Sequence, residues 1–433
     1  MISNQQNDYR NFGIQPRIAE LVGQIDQEIR GQVAAAENSA KENTRKILAA
    51  FLAEGVSEYH LSGSHGYGYA DAGREVLDSI YARIFEAPAA LVRIQVVSGT
   101  HALALALFSI FRAGDEMIIA TGLPYPTLWP VIGLGKYFNQ PDSLMELGVR
   151  VKVIALDQND EPDLEAIAES ITKKTRGVLI QRSSGYDFRR GLSTAQIGAL
   201  IHLIKQRNPL AACIVDNCYG EFVEVQEPTQ CGADLIVGSL LKNPGGSLAP
   251  TGGYFAGETE LIQAISRRLT APGLEGNVGP TLGIARSIFQ GLFLAPHFVG
   301  QALAGSIFAA KLFELLGCEV KPRFNDRRGD LIQAIQLGTV EALEAFCASI
   351  QACSPIDSKA KPYGSVLPGY DDTIIMAGGT FVQGATLELS ADAPVREPFI
   401  VFMQGGLIAE HTRTAALFAA SELLRAGFLR MPE

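Results

Sequence analysis

The chain has few cysteines for its length. Only six of its 433 residues are cysteine, and no two of them form a Cys-x-x-Cys pair. Six thiols are too few to stabilise a chain of this size by disulfides, and their spacing matches no zinc site. We therefore expect buried free thiols and no bound metal.

The sequence also lacks a basic stripe and a long apolar run. It has 36 Lys plus Arg against 46 Asp plus Glu, a net charge of −10. Residues 1–30 are polar, and the longest apolar stretches elsewhere are interrupted by Gly, Pro and polar residues. These absences argue against nucleic-acid and membrane partners and favour a cytoplasmic protein.

Strand and helix signals alternate between residues 90 and 260. This pattern is typical of a mostly parallel sheet covered by helices. The predicted strands are 93–97, 116–120, 151–156, 177–181, 212–215, 234–238 and 253–256. Helices are predicted between them, at 163–171 and at 194–206, the latter with Ser193 as its N-cap.

The length predicts more than one domain, because a single core rarely serves so long a chain. We expect a helical arm without strands at residues 1–65. We expect an α/β domain at residues 66–295. Residues 296–433 predict a smaller α+β domain that opens with a helix at 298–316 and closes with one at 411–426.

Lys242 is the most informative residue. It follows the apolar run 235–241 and precedes Asn243-Pro244-Gly245-Gly246. A lysine delivered from a buried strand into a glycine turn can be desolvated, which lowers its pKa and allows a Schiff base with an aldehyde. The alternative is a lysine whose stem covers the core while its amine reaches water.

Two further segments are compatible with the same chemistry. Gly99-Thr100 stands between an apolar segment and a helix predicted at 102–111, where backbone amides and the helix dipole can bind phosphate. Asp216 closes the strand at 212–215 and faces the usual ligand crevice of a parallel sheet. There it could keep a pyridinium nitrogen protonated, or it could simply cap the next turn.

These motifs resemble the fold-type-I pyridoxal-phosphate enzymes, which implies their α/β transferase fold. The closer resemblance is to methionine gamma-lyase and cystathionine beta-lyase-like aluminium-resistance proteins. It rests on the block Gly238 to Gly246 around Lys242, on Asp216-Asn217, and on Ala393-Pro394-Val395-Arg396-Glu397-Pro398. Weaker matches run from Gly66-Tyr67-Gly68-Tyr69 to Gln404-Gly405-Gly406.

The resemblance implies roles for individual residues. Lys242 would carry pyridoxal 5'-phosphate and move the Cα proton, and Asp216 would pair with the pyridine nitrogen. Gly99, Thr100 and Ser239 would bind the phosphate, and Tyr125 would stack on the ring. The loop after Tyr125 reads Pro-Thr-Leu-Trp-Pro, without the acidic residues usual in the group, which leaves its shape and the substrate choice open.

The same resemblance implies substrate and subunit contacts. Arg396 would bind the substrate carboxylate, and a surface pair with Glu397 or Asp392 is the alternative. Arg182, after the strand 177–181, is a second candidate for that carboxylate. Tyr67 and Arg74 resemble residues that cross a subunit boundary to a neighbour's phosphate, which implies a homodimer or homotetramer with shared active sites.

The function implied is carbon–sulfur lyase activity on a sulfur amino acid of the cystathionine, methionine or cysteine type. Lys242 would remove the Cα proton, sulfur would leave from Cβ or Cγ, and ammonia and a 2-oxo acid would be released. Two rivals share the same residues: an aminotransferase, and a largely noncatalytic pyridoxal-phosphate-binding protein of stress tolerance. Nothing in the residues separates beta- from gamma-elimination.

Overall fold

The computed structural model describes residues 9–138 and 140–431. It begins with a short 3-10 turn, Tyr9–Phe12, and a long helix α1, Pro16–Ala53. The buried residues of α1 include Ile18, Ile25 and Ile29, which recur at helical spacing and form one apolar face. Most of the segment 1–65 is therefore helical where the structure describes it, and its assignment as a separate arm stays a prediction.

A seven-stranded sheet forms the centre of the molecule. Its strands are β1 Ala89–Arg93, β2 Glu116–Ile119, β3 Arg150–Val153, β4 Thr175–Gln181, β5 Ala212–Asp216, β6 Leu235–Ser239 and β7 Gly253–Gly257. Their order is β1-β7-β6-β5-β4-β2-β3, and only β7 runs antiparallel to its neighbours. The central strands β5, β6 and β7 are buried along their whole length, as a sheet covered on both faces requires. The predicted mostly parallel sheet is confirmed.

Helices cover both faces of this sheet. They are α2 Ala72–Ile84, α3 Gly99–Ile110, α4 Trp129–Ile132, α5 Leu164–Ser170, α6 Thr194–Arg207 and α7 Thr259–Leu269. The side chain of Ser193 accepts a hydrogen bond from the backbone N–H of Gln196 at the start of α6. The predicted N-cap is therefore confirmed.

The first strand was predicted four residues too far along the chain. The prediction placed it at 93–97, whereas β1 is Ala89–Arg93 and α3 begins at Gly99 instead of residue 102. Residues 89–97 are almost all apolar, so local sequence does not distinguish the two positions. Antiparallel pairing of Ala89 to Gly257, and an ion pair of 2.7 Å between Arg93 and Asp78 on α2, fix the observed register.

A second sheet lies in the carboxyl-terminal part. Its strands are β8 Val320–Lys321, β9 Gln333–Gln336, β10 Gly364–Val366, β11 Thr373–Ala377, β12 Ser390–Pro394 and β13 Ile400–Gln404, in the order β10-β11-β12-β13-β9-β8. Helices α8 Ala285–Leu315, α9 Val340–Ala352 and α10 Ala409–Arg425 accompany it. One face of the sheet, with Ala391, Val401 and Met403, packs in the core formed with these helices. The opposite face, with Ile374 and Phe402, packs on Tyr186 and Tyr219 of the large domain.

Helix α8 is longer than predicted. It begins at Ala285 instead of residue 298 and passes through Pro296, which is buried inside it. Proline usually ends a helix because it lacks an N–H. The sequence prediction therefore placed the start of this helix after Pro296. The predicted domain boundary at 295/296 falls within α8 and stays a prediction. By length and composition α8 could cross a membrane, but 67% of its most apolar window is buried inside the protein.

Candidate active site

The carboxyl ends of β5 and β6 and the start of α3 meet at one cavity of about 210 Å³. Six residues predicted from the sequence line it: Gly99, Thr100, Tyr125, Asp216, Ser239 and Lys242. They come from separate parts of the chain, so the fold brings together what the sequence only suggests. Their individual roles stay predictions.

Lys242 lies directly against Tyr219. Its Nζ donates to the Tyr219 hydroxyl at 2.5 Å and lies 3.8 Å from the centre of that ring. Tyr219 adopts φ 68°, a conformation uncommon outside glycine. Tyr219 was missed in the sequence; its position directly after Asp216-Asn217-Cys218, at the end of a buried strand, is the signal that could have identified it.

The pKa of Lys242 is raised above its ordinary value, and not lowered as predicted. Burial alone lowers this pKa, but Tyr219, Cys218 and Asp392 together favour the ammonium form by more. The direction expected from the sequence was wrong because these neighbours come from other segments. Lys242 is therefore a buried amine surrounded by groups that stabilise its positive charge.

Asp216 is buried at the end of β5. Its Oδ1 accepts a hydrogen bond of 3.1 Å from the backbone N–H of Cys218, and burial raises the pKa of its carboxyl group. A cation placed in the cavity beside Asp216 would favour the ionised form and offset this desolvation. The carboxylate is thus placed to hold a positively charged ligand atom.

The first turn of α3 forms one end of the cavity. Ser98 caps the helix by accepting from the backbone N–H of His101 at 3.0 Å, and Gly99 and Thr100 follow at the cavity. The N–H groups of a first turn have no acceptor within the helix. A Cβ on Gly99 would lie 3.3 Å from the sulfur of Cys218, so glycine permits the close approach of β5. This arrangement suits an anion.

Tyr125 and Tyr370 form one wall of the cavity, and Tyr186 packs against both. Tyr125 and Tyr370 share a hydrogen bond of 2.6 Å between their hydroxyls, and the rings of Tyr125 and Tyr186 lie 5.2 Å apart. Tyr370 lines the cavity and comes from the loop before β11. Tyr186 and Tyr370 were missed, and no local pattern marks either one.

Arg396 lies beside this wall but does not line the cavity. Its guanidinium donates to the Asp372 carboxylate at 2.8 Å and to the backbone oxygen of Tyr186 at 3.1 Å. Its side chain is 45% exposed. The partner is therefore neither of the two acids considered from the sequence, and the predicted carboxylate-binding role stays a prediction.

The predicted substrate-binding role of Arg182 is corrected by the structure. The sequence placed it as a second substrate ligand, but its side chain is fully buried between Glu224 and Glu227, each at 3.2 Å, and it donates to Asn217 at 2.8 Å. Its backbone follows β4 toward the crevice, whereas its side chain points into the interior. The guanidinium balances two buried carboxylates and is not available to a ligand.

Replacing Arg182 with alanine should lower the free energy of unfolding by roughly 3 kcal/mol, because the carboxylates of Glu224 and Glu227 lose a buried partner. Urea unfolding followed by circular dichroism measures this loss. The matched control is Arg190→Ala, since Arg190 pairs with Glu161 at the surface and its loss should cost less than about 1 kcal/mol. Equal effects of the two substitutions would refute the structural role of Arg182.

The predicted position of Arg74 is corrected as well. It was predicted to reach a neighbour's phosphate, but it is buried in its own chain and donates to the backbone oxygens of Gly68, Gly279 and Asn277. Arg74 therefore joins two loops of one chain. Tyr67, in contrast, is 74% exposed, and its predicted contact with a second subunit stays a prediction.

The order of the strands, with a lysine, an aspartate and a helix terminus at one crevice, is that of the fold-type-I pyridoxal-phosphate transferase fold. The fold matches the pyridoxal-5'-phosphate dependent protein YhfS of Escherichia coli with a TM-score of 0.57 at 15% identity, over 89% of this chain and 95% of that one. This likeness shows the fold alone.

The family model for methionine gamma-lyase matches residues 18–424, and the chain belongs to that family. A carbon-sulfur lyase involved in aluminium resistance from Clostridium novyi NT is 42% identical, with a TM-score of 0.92 over 98% of this chain and all of that one. The uncharacterized protein YnbB of Bacillus subtilis is 42% identical over 93% of this chain and 95% of its own length. The predicted family and fold class are confirmed.

Proposed function

We propose that the protein is a pyridoxal-phosphate-dependent carbon–sulfur lyase that acts on a sulfur amino acid. The observation that carries this proposal is the shared cavity of Lys242, Asp216 and the amino terminus of α3. Amine, carboxylate and anion site are the three groups that an aldehyde, a pyridine nitrogen and a phosphate require. The family match and the name of the Clostridium relative support the same chemistry.

The residues fit this cofactor. Asp216 would hold the ring nitrogen protonated, while Gly99, Thr100 and Ser239 would bind the phosphate and Tyr125 would pack on the ring. Ser239 is buried, and its hydroxyl accepts a hydrogen bond from Leu241 N–H at 3.1 Å. Pyridoxal phosphate, when bound, supplies a sink for the electron pair left on Cα.

Lys242 would then carry the proton transfers. As the neutral amine, its Nζ would remove the Cα proton of the amino acid. The carbon–sulfur bond would break with its electron pair on sulfur, and the sulfur would take up a proton as it leaves. Tyr219, which accepts a hydrogen bond from Nζ, would help to position the amine. The remaining carbon skeleton is released as a 2-oxo acid with ammonia once water has added.

Arg396 would bind the substrate carboxylate. Its guanidinium already donates a hydrogen bond to the carboxylate of Asp372. The two carboxylates therefore compete. The pair is partly exposed, at 45% for Arg396 and 37% for Asp372, so its strength is modest and a substrate can replace it.

Replacing Asp372 with asparagine should lower KM about two- to fivefold at unchanged kcat, because the competing charge is removed. Steady-state kinetics with a saturating substrate series measures this change. The control is Asp371→Asn, since Asp371 anchors the same loop through Lys136 and Tyr137 without touching Arg396. A raised KM in Asp372→Asn would mean that Asp372 orients Arg396 for the substrate and does not compete with it.

We further propose that the active unit is a homodimer or homotetramer in the cytoplasm. Tyr67 and Tyr69 are 74% and 65% exposed, and their rings lie 5.5 Å apart with a tilt of 32°. An exposed aromatic pair of this kind is typical of a surface covered by a partner. Sedimentation of the purified protein tests the assembly, and mixing two inactive variants tests whether the sites are shared.

A product assay tests the proposed reaction. The protein loaded with pyridoxal phosphate is incubated with cystathionine, methionine and cysteine, and thiol, ammonia and 2-oxo acid are measured together. Equal amounts of the three products support lyase activity. A 2-oxo acid formed without thiol, together with pyridoxamine phosphate, would instead identify an aminotransferase.

A further inference from the structure

Asp392 is a buried carboxylate that no part of the proposed mechanism uses. It lies on β12 and is 9% exposed. Its Oδ2 accepts hydrogen bonds from the Tyr186 hydroxyl at 3.0 Å and from the Gln404 amide at 3.1 Å. Among residues 9–138 and 140–431, no hydrogen bond reaches its Oδ1 and no lysine or arginine lies within ion-pair distance. A buried carboxylate with no cation in contact is costly, and burial raises the pKa of Asp392, so a positively charged ligand beside it would favour the ionised form.

The orientation of Asp392 places it on the active-site side. It pairs with Phe402 on β13, and side chains of opposed residues lie on the same face of a sheet. Phe402 packs in the cluster that also holds Tyr186, Cys218 and Tyr219. Asp392 also contributes to the raised pKa of Lys242, which agrees with a position on this face of the sheet.

The tyrosine that donates to this acid belongs to a cluster of three tyrosines. Tyr186 donates to Asp392, its ring lies 5.2 Å from Tyr125 and 6.0 Å from Tyr370, and Tyr125 and Tyr370 lie 5.9 Å apart. Electron-rich ring faces and a carboxylate both attract positive charge, and together they form the environment that proteins use for ammonium groups. Both groups would repel a ligand whose side chain is negatively charged.

We propose that Asp392, with the three tyrosines, selects substrates whose side chain carries a positively charged group beyond the sulfur. The proposal rests on the proposed function, because it concerns the far end of the amino acid that the lyase would cleave. The substrate class is thus a thioether amino acid with a distal ammonium group, in preference to neutral or acidic thioethers of equal length. The distal cation would give Asp392 a direct ion-pair partner, which it does not have among the residues that the structure describes.

A binding experiment separates this proposal from the lyase chemistry. α-Methyllysine and 2-amino-2-methylheptanoic acid match in length and lack a Cα proton, so they bind without reacting. Calorimetry with the cofactor-loaded protein should give a dissociation constant about tenfold lower for α-methyllysine. In Asp392→Asn that ratio should approach one, whereas in Tyr186→Phe, which keeps the carboxylate, part of the preference should remain.

A reaction series gives a second readout that needs no variant. S-(2-aminoethyl)cysteine should exceed S-propylcysteine in kcat/KM by about tenfold, and S-(2-carboxyethyl)cysteine should be the poorest of the three. Equal affinity for the two α-methyl ligands in the unmodified protein, or an unchanged ratio in Asp392→Asn, overturns the role of Asp392. Binding selectivity without any thiol release retains the proposal for Asp392 and refutes the lyase function.

Discussion

Replacing Lys242 with alanine is expected to reduce thiol release by about 10⁴-fold or more, since one side chain would provide both covalent attachment and proton transfer. The variant should also lose the visible absorption of the bound cofactor. Loss of an interior side chain could instead unfold the protein, so circular dichroism accompanies the assay.

Two further substitutions make the result specific. Lys173→Ala removes a lysine at the surface and should leave turnover unchanged. Lys242→Arg keeps a positive charge near Tyr219 but cannot attach the aldehyde, so it should be as inactive as Lys242→Ala. Turnover in Lys242→Arg above about one-tenth of normal would show that Lys242 acts only through its charge.

Replacing Glu221 with glutamine should stabilise the protein strongly at alkaline pH. Glu221 is fully buried, its Oε1 accepts from the Tyr254 hydroxyl at 2.8 Å, and its Oε2 has no hydrogen-bond partner. Burial raises the pKa of its carboxyl group from 4.5 to about 8. The folded protein therefore favours the protonated form, and glutamine reproduces that form at every pH.

The direction of the pH effect follows from proton binding. Between pH 4.5 and about 8 the folded state holds a proton that the unfolded state has lost, so stability falls as pH rises. The loss attributable to this group is complete above about pH 8 and amounts to at most about 5 kcal/mol. The melting temperature of Glu221→Gln should match that of the unmodified protein near pH 4.5 and exceed it by several degrees at pH 8.5. A difference independent of pH would refute the assignment.

Most of the sheet was predictable because its strands are short apolar runs bounded by turn residues. The exceptions have identifiable causes. The register of β1 depends on pairing with β7, which is distant in sequence, and on the ion pair of Arg93 with Asp78. Pro296 is tolerated within α8 because the helix is enclosed by other elements, and no local signal reports that enclosure.

Residues of the cavity were predictable where they lie at or just after the end of a strand, as Asp216 and Lys242 do. It was not predictable where the role depends on a side chain's direction. Arg182 stands at the end of β4, yet its guanidinium turns away from the crevice toward Glu227. Tyr370 reaches the cavity from the loop before β11, and only packing between segments that are distant in sequence brings it there.

Mass spectrometry after borohydride reduction tests the central claim most directly. The protein is incubated with pyridoxal phosphate, reduced, digested and searched for the cofactor adduct on each lysine-containing peptide. We expect the adduct on the peptide that contains Lys242, together with loss of the visible absorption band. Absence of an adduct, or an adduct spread over surface lysines with Lys242 unmodified, would contradict the account of the site and the function built on it.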